Sequence, residues 1–132
     1  MPVILYVLFI VSVLPILLAG VGNYFRAQQF GAFDNSNPRL QQSRLEGPGA
    51  RAQAAQANAW EALSIFAVTC FIAYAGGVDL QSLNLVALIF LACRILHAVF
   101  YIANFAALRS LIFGVAISCC LYIVYLAATV PH

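Results

Sequence analysis

The segment LNLVALIFLACRILHAVFYIANF, residues 83–105, decides the fold of this chain. It is long enough to cross a bilayer as a helix, which takes about 20 apolar residues. Arg94 is its one permanently charged side chain, and His97 follows one helical turn later. An arginine near the middle of a membrane span costs at least ~2.5–3.5 kcal/mol on insertion scales, so it indicates a partner or a functional site.

Three further stretches of the chain have the same apolar character. Of the 132 residues, 64% are hydrophobic and 8% are charged, and none is lysine. A soluble domain carries roughly 25% charged residues, so this composition is typical of an integral membrane protein. We therefore predict one all-α domain over residues 1–132, an up-down bundle of four transmembrane helices. The predicted spans are residues 3–24, 50–75, 83–105 and 108–130.

The positions of the arginines predict how the bundle is oriented. We interpret the first apolar stretch as a span rather than a signal peptide, because no basic residue precedes it. The first loop, residues 26–49, contains three arginines, whereas the second loop contains only the acidic Asp79. The positive-inside rule then places the first loop in the cytoplasm and both termini on the opposite side. The net charge of +2 is too small to indicate a nucleic-acid partner.

Turn residues divide the rest of the chain. Asn37 is predicted to cap a short helix that begins at Pro38 and stops at residues 47–49, where the second span starts. The pair Gly76 and Gly77 is predicted to end that span. A tight turn over residues 104–107 then joins the third span to the fourth.

The second span also contains one charged side chain, Glu61. Counted from the loop ends of their spans, Glu61 and Arg94 both lie ~15–18 Å deep at ~1.5 Å per residue. We therefore predict that the two form an ion pair. Such a pair could serve only to fix helix register, or it could form the floor of a functional site.

Other polar side chains lie on the same helix faces as this pair, at successively smaller depths toward the cytoplasmic end. Taken one at a time, His97 could be an interhelical hydrogen bonder, Tyr101 an interfacial aromatic and Arg109 a positive-inside anchor. Taken together, they predict a polar cleft that opens to the cytoplasm. The residues that line it are Arg51, Asn58, Glu61, Arg94, His97, Tyr101 and Arg109.

Several arginines beside one carboxylate suit a small ligand that carries both carboxylates and an ammonium group. Arginine binds carboxylates through two parallel hydrogen bonds, and Glu61 with Asn58 could meet an amine. Arg109 opens the fourth span, where its charge and the helix dipole would both stabilise a thiolate. The four cysteines show no metal-ligand spacing, so we read them as apolar packing residues and predict no metal site.

Three of these stretches resemble motifs of the MAPEG family, the membrane-associated proteins in eicosanoid and glutathione metabolism. They are RAQAAQANAWE at residues 51–61, RILHAVFY at residues 94–101 and LRS at residues 108–110. The loop residues 37–39 and the run 51–66 are similar to the bacterial branch. The resemblance implies a homotrimer of four-helix subunits. It also implies that glutathione binds as co-substrate between neighbouring subunits, near the cytosolic side.

The resemblance also implies a role for each matched residue. Asn58 and Glu61 would hold the amine end of glutathione, Arg94 would support it, and Tyr101 would contact the tripeptide. Arg109 would stabilise the thiolate as the catalytic residue. Arg51 and His97 complete the expected glutathione site, with Arg51 reaching a carboxylate from one turn away because Ala54 stands where many members have arginine.

We favour a membrane-bound glutathione-dependent transferase or peroxidase-like enzyme that acts on a lipophilic electrophile from the bilayer. The alternative is a non-catalytic structural or accessory subunit that binds other membrane proteins, because so little of the chain lies outside the bilayer. A proton or ion pathway built on Glu61, Arg94 and His97 is a weaker third possibility. Such a pathway needs polar groups that continue to the far side of the membrane. Beyond Glu61, the second span offers only Ser64 and Thr69 as relay groups.

Overall fold

A computed structural model describes residues 1–131 and shows an all-helical chain. Four of its helices are long and apolar enough to cross a membrane. The prediction of an all-α four-helix membrane bundle is therefore confirmed. The elements are α1 (Val3–Phe30), α2 (Pro38–Ser43), α3 (Gly47–Ala75), a 3₁₀ helix (Leu80–Leu83), α4 (Asn84–Ile102) and α5 (Ala106–Thr129).

Contacts between helix ends establish the up-down order. The backbone N–H of Val3 donates to Oδ1 of Asn84 at 3.3 Å, so α1 and α4 start at the same end of the bundle. Arg51, near the start of α3, donates to the carbonyl oxygen of Ile102 at the end of α4. We call the end that holds residues 31–46 and the start of α3 the loop end, and the opposite end the far end.

Small side chains on α3 set its distance from α1. Ala52, Ala55 and Ala59 are buried on one face of α3, and Leu18 of α1 and Ala98 of α4 pack in the same region. Small residues let membrane helices approach closely, which is where van der Waals attraction between them becomes effective. The alanine face of α3 therefore allows close packing against α1 and α4 at the loop end of the bundle.

Larger side chains fill the far half of the bundle. The rings of Phe66 in α3 and Phe90 in α4 are stacked, with centroids 4.1 Å apart and planes inclined by 8°. Ile4 and Val7 of α1 and Ile123 of α5 complete this cluster and are fully buried. The four cysteines are buried free thiols in the same helices.

The turns in the structure agree only in part with those predicted from the sequence. Asn104 takes a left-handed backbone conformation with φ 66°, which asparagine tolerates, and this residue allows the tight connection between α4 and α5. The short helix α2 begins at Pro38 as predicted but already ends at Ser43. Residues 47–49 form the first turn of α3 instead, where Pro48 lacks an N–H that the helix would not use.

The structure corrects the predicted cap of α2. The side chain of Asn37 makes no capping hydrogen bond. Asp34 organises the turn instead, because its Oδ1 accepts from the backbone N–H groups of Ser36 and Asn37, each at 3.0 Å. Asparagine and aspartate both favour such turns, so sequence alone did not distinguish them.

Arg26 anchors the first loop to α1. Because α1 continues to Phe30, Arg26 lies within the helix and is only 5% exposed. Its guanidinium donates twice to Oε1 of Gln41, at 3.0 and 2.6 Å, and once to Oδ1 of Asn23 at 3.1 Å. Gln41 in turn donates to the carbonyl oxygen of Ala32 at 2.8 Å, so a network centred on α1 holds the loop.

Candidate functional site

Asn58 links the two charges that the sequence places deep in the bundle. Nη2 of Arg94 donates to Oδ1 of Asn58 at 2.7 Å, and Nδ2 of Asn58 lies 3.5 Å from Oε2 of Glu61. The predicted direct Glu61–Arg94 contact is thus corrected, because the amide stands between the two ions. Glu61 is one turn after Asn58 on α3, and its side chain lies on the exposed surface of the single chain.

Two atoms of the buried polar groups have no partner. Arg94 is 1% exposed and His97 is 3% exposed. Within residues 1–131, neither Nε of Arg94 nor Nδ1 of His97 makes a hydrogen bond. A buried polar atom without a partner costs about 1–3 kcal/mol, so these two atoms mark a place where a bound group would be stabilised.

A polar cleft of about 220 Å³ opens at the loop end of the bundle. Arg109 lies over the ring of Tyr101, with its Cζ 4.2 Å from the ring centroid. The rings of Tyr101 and His97 meet edge to face at 5.6 Å, so the three side chains form one layered wall. The lining residues are Asn58, His97, Tyr101, Arg109, Ser110 and Phe113.

A smaller cavity of about 50 Å³ lies deeper in the bundle and continues this cleft. Glu61 and Arg94 line it, and it shares Asn58 and Phe113 with the cleft. The shared residues make Asn58 the polar boundary between the two spaces. The structure therefore brings six of the seven predicted residues together, in two connected layers: Asn58, Glu61, Arg94, His97, Tyr101 and Arg109.

Arg51 is the predicted residue that the structure does not place in the cleft. Its Nε donates to the carbonyl oxygen of Ile102 at 2.9 Å. The last carbonyl groups of a helix lack intrahelical partners, and a cation is favourable there. Arg51 therefore joins the start of α3 to the end of α4, a contact that the helical wheel did not predict.

Phe113 is a site residue that the sequence reasoning missed. It lines both the cleft and the deeper cavity and stands 6.2 Å from His97, centroid to centroid. It comes four residues after Arg109, so it shares a face of α5 with that arginine. That spacing was the available signal, but an apolar ring in an apolar span does not stand out by composition.

The polar lining side chains of the cleft and the deeper cavity are hydrogen-bond donors and acceptors, and aromatic rings lie between them. No group of three or more His, Cys, Asp or Glu side chains that could hold a metal lies within the described part of the chain. The arrangement combines guanidinium groups, one amide, one carboxylate and an aromatic wall. Chemically, it suits a zwitterionic ligand with carboxylate groups better than a bare ion.

The sequence model of the MAPEG family matches residues 3–129, nearly the whole chain. This chain belongs to the MAPEG family. Comparison with curated proteins gives no match. In this MAPEG protein the match includes both the polar cleft and the deeper cavity, and it confirms the resemblance drawn from the three motifs. With its four candidate spans, the MAPEG chain is an integral multi-pass membrane protein.

Proposed function

We propose that this MAPEG protein is a membrane-bound glutathione-dependent transferase or peroxidase-like enzyme that acts on a lipophilic electrophile. The observation that carries the proposal is that each of the two connected spaces is lined by a residue with an unsatisfied buried atom: His97, with its Nδ1, in the cleft, and Arg94, with its Nε, in the deeper cavity. A ligand that completes these hydrogen bonds would be bound tightly because the groups are already desolvated and held in place.

Each side chain has a distinct task in this reading. Arg94 donates its free Nε–H to a carboxylate of glutathione, while Glu61 and Asn58 accept from the ammonium group. Arg109, held over Tyr101, stabilises the thiolate at the start of α5. In a substitution, the thiol loses its proton, sulfur bonds to the electrophilic carbon, and the leaving group departs with the bonding electron pair.

The exposed position of Glu61 supports a homotrimer as the working form. The carboxylate lies on the surface of the single chain, halfway along a helix that spans the membrane. An ionised carboxylate is too costly to face hydrocarbon without a partner. A neighbouring copy would cover Glu61 and complete the cleft from the other side.

Purified protein in lipid nanodiscs should conjugate glutathione to a generic aryl halide. We expect Arg109→Ala to lower kcat by about 10²–10³-fold, the usual effect of removing a group that stabilises developing charge. Arg39→Ala provides a matched control, because Arg39 is an exposed arginine of α2 outside the cleft.

A direct measurement of glutathione binding decides between the enzyme and the alternative. Absence of binding at millimolar glutathione, in protein that is folded and trimeric, would refute the proposal. If such protein instead co-purified in fixed ratio with other membrane proteins, the accessory-subunit alternative would hold. Equal activity of Arg109→Ala and Arg39→Ala would remove Arg109 from catalysis.

A further inference from the structure

A pocket of about 230 Å³ lies between the end of α1 and the start of α3, at the loop end of the bundle. It shares no lining residue with the cleft or the deeper cavity, so it is separate from the candidate site. Gly49 lets the two helices meet here, because a Cβ at this position would lie 3.0 Å from Cβ of Phe25. We call this space the α1–α3 pocket, and its lining residues are Phe25, Gln28, Gln29, Glu46, Pro48 and Gly49.

The α1–α3 pocket offers hydrogen-bond acceptors and no basic side chain. Nε2 of Gln28 donates to the hydroxyl of Tyr24 at 3.3 Å, and Nε2 of Gln29 donates to the carbonyl oxygen of Arg44 at 3.0 Å. Oε1 of Gln29 accepts from the backbone N–H of Glu46 at 3.0 Å, which fixes that residue beside the pocket. Glu46 is the N-cap residue of α3, but its side chain makes no capping hydrogen bond, so its carboxylate remains available. The pocket therefore favours a cation.

Phe25 adds an aromatic wall to the same pocket. Its ring meets the ring of Tyr24 edge to face, with centroids 5.3 Å apart, so the two rings support each other. A cation is attracted to an aromatic face, and the nearby carboxylate of Glu46 attracts the same cation. A primary ammonium group has three N–H donors, so it matches a carboxylate and an amide oxygen beside an aromatic ring.

The pocket lies at the depth of the lipid head groups and faces the bilayer. The apolar spans of the sequence end at residue 24 and begin again at residue 50, and all the lining residues fall between these positions. Gln28 shares a face of α1 with Val21 and Leu17, which come seven and eleven residues earlier and are 37% and 62% exposed. Acyl chains that lie along this exposed apolar face therefore lead up to the pocket.

We propose that the α1–α3 pocket binds the primary ammonium head of phosphatidylethanolamine from the surrounding leaflet. Glu46 and Oε1 of Gln28 accept from the ammonium group, and the ring of Phe25 lies against it. Arg44 is exposed two residues before Glu46, where a cation suits the phosphate of the same lipid. A choline head has no N–H to donate, so the pocket distinguishes phosphatidylethanolamine from phosphatidylcholine. This inference does not rest on the proposed enzymatic function, because the pocket and the candidate site share no residue.

Lipid retention in native mass spectrometry tests the head-group preference. The assembled protein is released from nanodiscs that contain equal amounts of phosphatidylethanolamine and phosphatidylcholine with identical acyl chains. We expect the retained lipid to be enriched in phosphatidylethanolamine roughly tenfold, the effect of a hydrogen bond to a charged group. Glu46→Gln should abolish the enrichment, whereas Asp79→Asn should keep it, because Asp79 is an exposed carboxylate at the far end. Equal enrichment in both variants would overturn the proposal. So would its absence in the wild type, which is expected if a second copy or another protein covers the pocket.

A second lipid mixture separates recognition by the pocket from general charge attraction. Phosphatidylglycerol has a phosphate but no ammonium group, so we expect no enrichment of this lipid over phosphatidylcholine. Phe25→Leu removes the ring that both ammonium heads would contact, so the retained amounts of phosphatidylethanolamine and phosphatidylcholine should both fall. Enrichment of phosphatidylglycerol equal to that of phosphatidylethanolamine, or unchanged retention in Phe25→Leu, would overturn the proposal.

Discussion

Asn58 contacts both charged side chains that lie deep in the spans, accepting from Nη2 of the buried Arg94 at 2.7 Å and lying 3.5 Å from Oε2 of the exposed Glu61. An amide can do this because its oxygen accepts while its nitrogen donates. The arrangement leaves Nε of Arg94 without a partner among residues 1–131. The two deep charges are thus held close together, but Arg94 keeps one unused hydrogen-bond donor. A site that binds a ligand is expected to have such a free donor.

The amide acceptor of Asn58 should matter for stability as well as binding. Asn58→Leu removes the hydrogen bond to the buried Arg94, so we expect it to lower the free energy of unfolding by about 1–3 kcal/mol. Asn58→Asp keeps an acceptor oxygen and should retain most of that stability. Thermal unfolding in detergent measures both, with Gln56→Leu on the same helix as the control. A loss in Asn58→Asp as large as in Asn58→Leu would contradict this reading.

The exposed Glu61 should matter for binding more than for the fold of one chain. Glu61→Gln keeps the size of the side chain and removes its charge, so we expect glutathione to bind roughly tenfold more weakly, a difference of about 1.4 kcal/mol. Asp79→Asn is the control, because Asp79 is an exposed carboxylate at the far end and outside the cleft. Isothermal titration gives the affinities. Unchanged affinity in Glu61→Gln would remove the carboxylate from the site.

Arg51 should behave as a structural residue, although its motif position predicts a ligand contact. Arg51→Ala removes the donor to the carbonyl oxygen of Ile102, so we expect unfolding to become easier by about 1 kcal/mol. The KM for glutathione should stay within about twofold of the wild type, since that corresponds to under half a kcal/mol. A large rise in KM without loss of stability would restore Arg51 to the glutathione site.

The ring of Tyr101 should act by placing Arg109. Tyr101→Phe keeps the aromatic face under the guanidinium and should leave most of the activity. Tyr101→Ala removes that face, so we expect kcat to fall toward the value of Arg109→Ala. Conjugation rates for the three variants and the double variant test this relationship. Independent, additive losses in Tyr101→Ala and Arg109→Ala would show that the two residues do not act as a unit.

Gln41 should hold the first loop against the bundle. Gln41→Ala leaves the buried Arg26 with Asn23 as its remaining hydrogen-bond partner and frees the loop from the carbonyl oxygen of Ala32. We expect faster tryptic cleavage after the exposed Arg39 and Arg44, since cleavage follows local opening. Gln42→Ala is the matched control because Oε1 of Gln42 has no partner to lose. Equal cleavage rates in both variants would argue against this anchor.

Much of the fold could be predicted because membrane insertion is governed by local composition. Four apolar stretches, separated by turn residues such as Gly77 and Asn104, are enough to predict the four-helix bundle. The depth of Arg94 and His97 along their span also follows from counting residues, since the rise of a helix is constant.

The hydrogen-bond partners of the polar side chains could not be predicted in the same way. A helical wheel places Asn58 and Glu61 on adjoining faces of α3, but it does not give the rotation of α3 against α4. Packing of the alanine face onto α1 fixes that rotation and brings Asn58, not Glu61, against Arg94. The long side chains of Arg26 and Arg51 could reach several neighbours. The packing of the helices determines that Arg26 bonds to Gln41 and Arg51 to the carbonyl oxygen of Ile102.

The sequence by itself determined the spans, the family motifs and the gathering of polar residues near the loop end. These properties depend on hydropathy and helical period, which act over a few residues. The tertiary structure alone decided that an amide separates Glu61 from Arg94, and that α1 and the start of α3 enclose the α1–α3 pocket. Both depend on how packed helices are rotated against one another, and that rotation is settled only when all four side-chain surfaces meet.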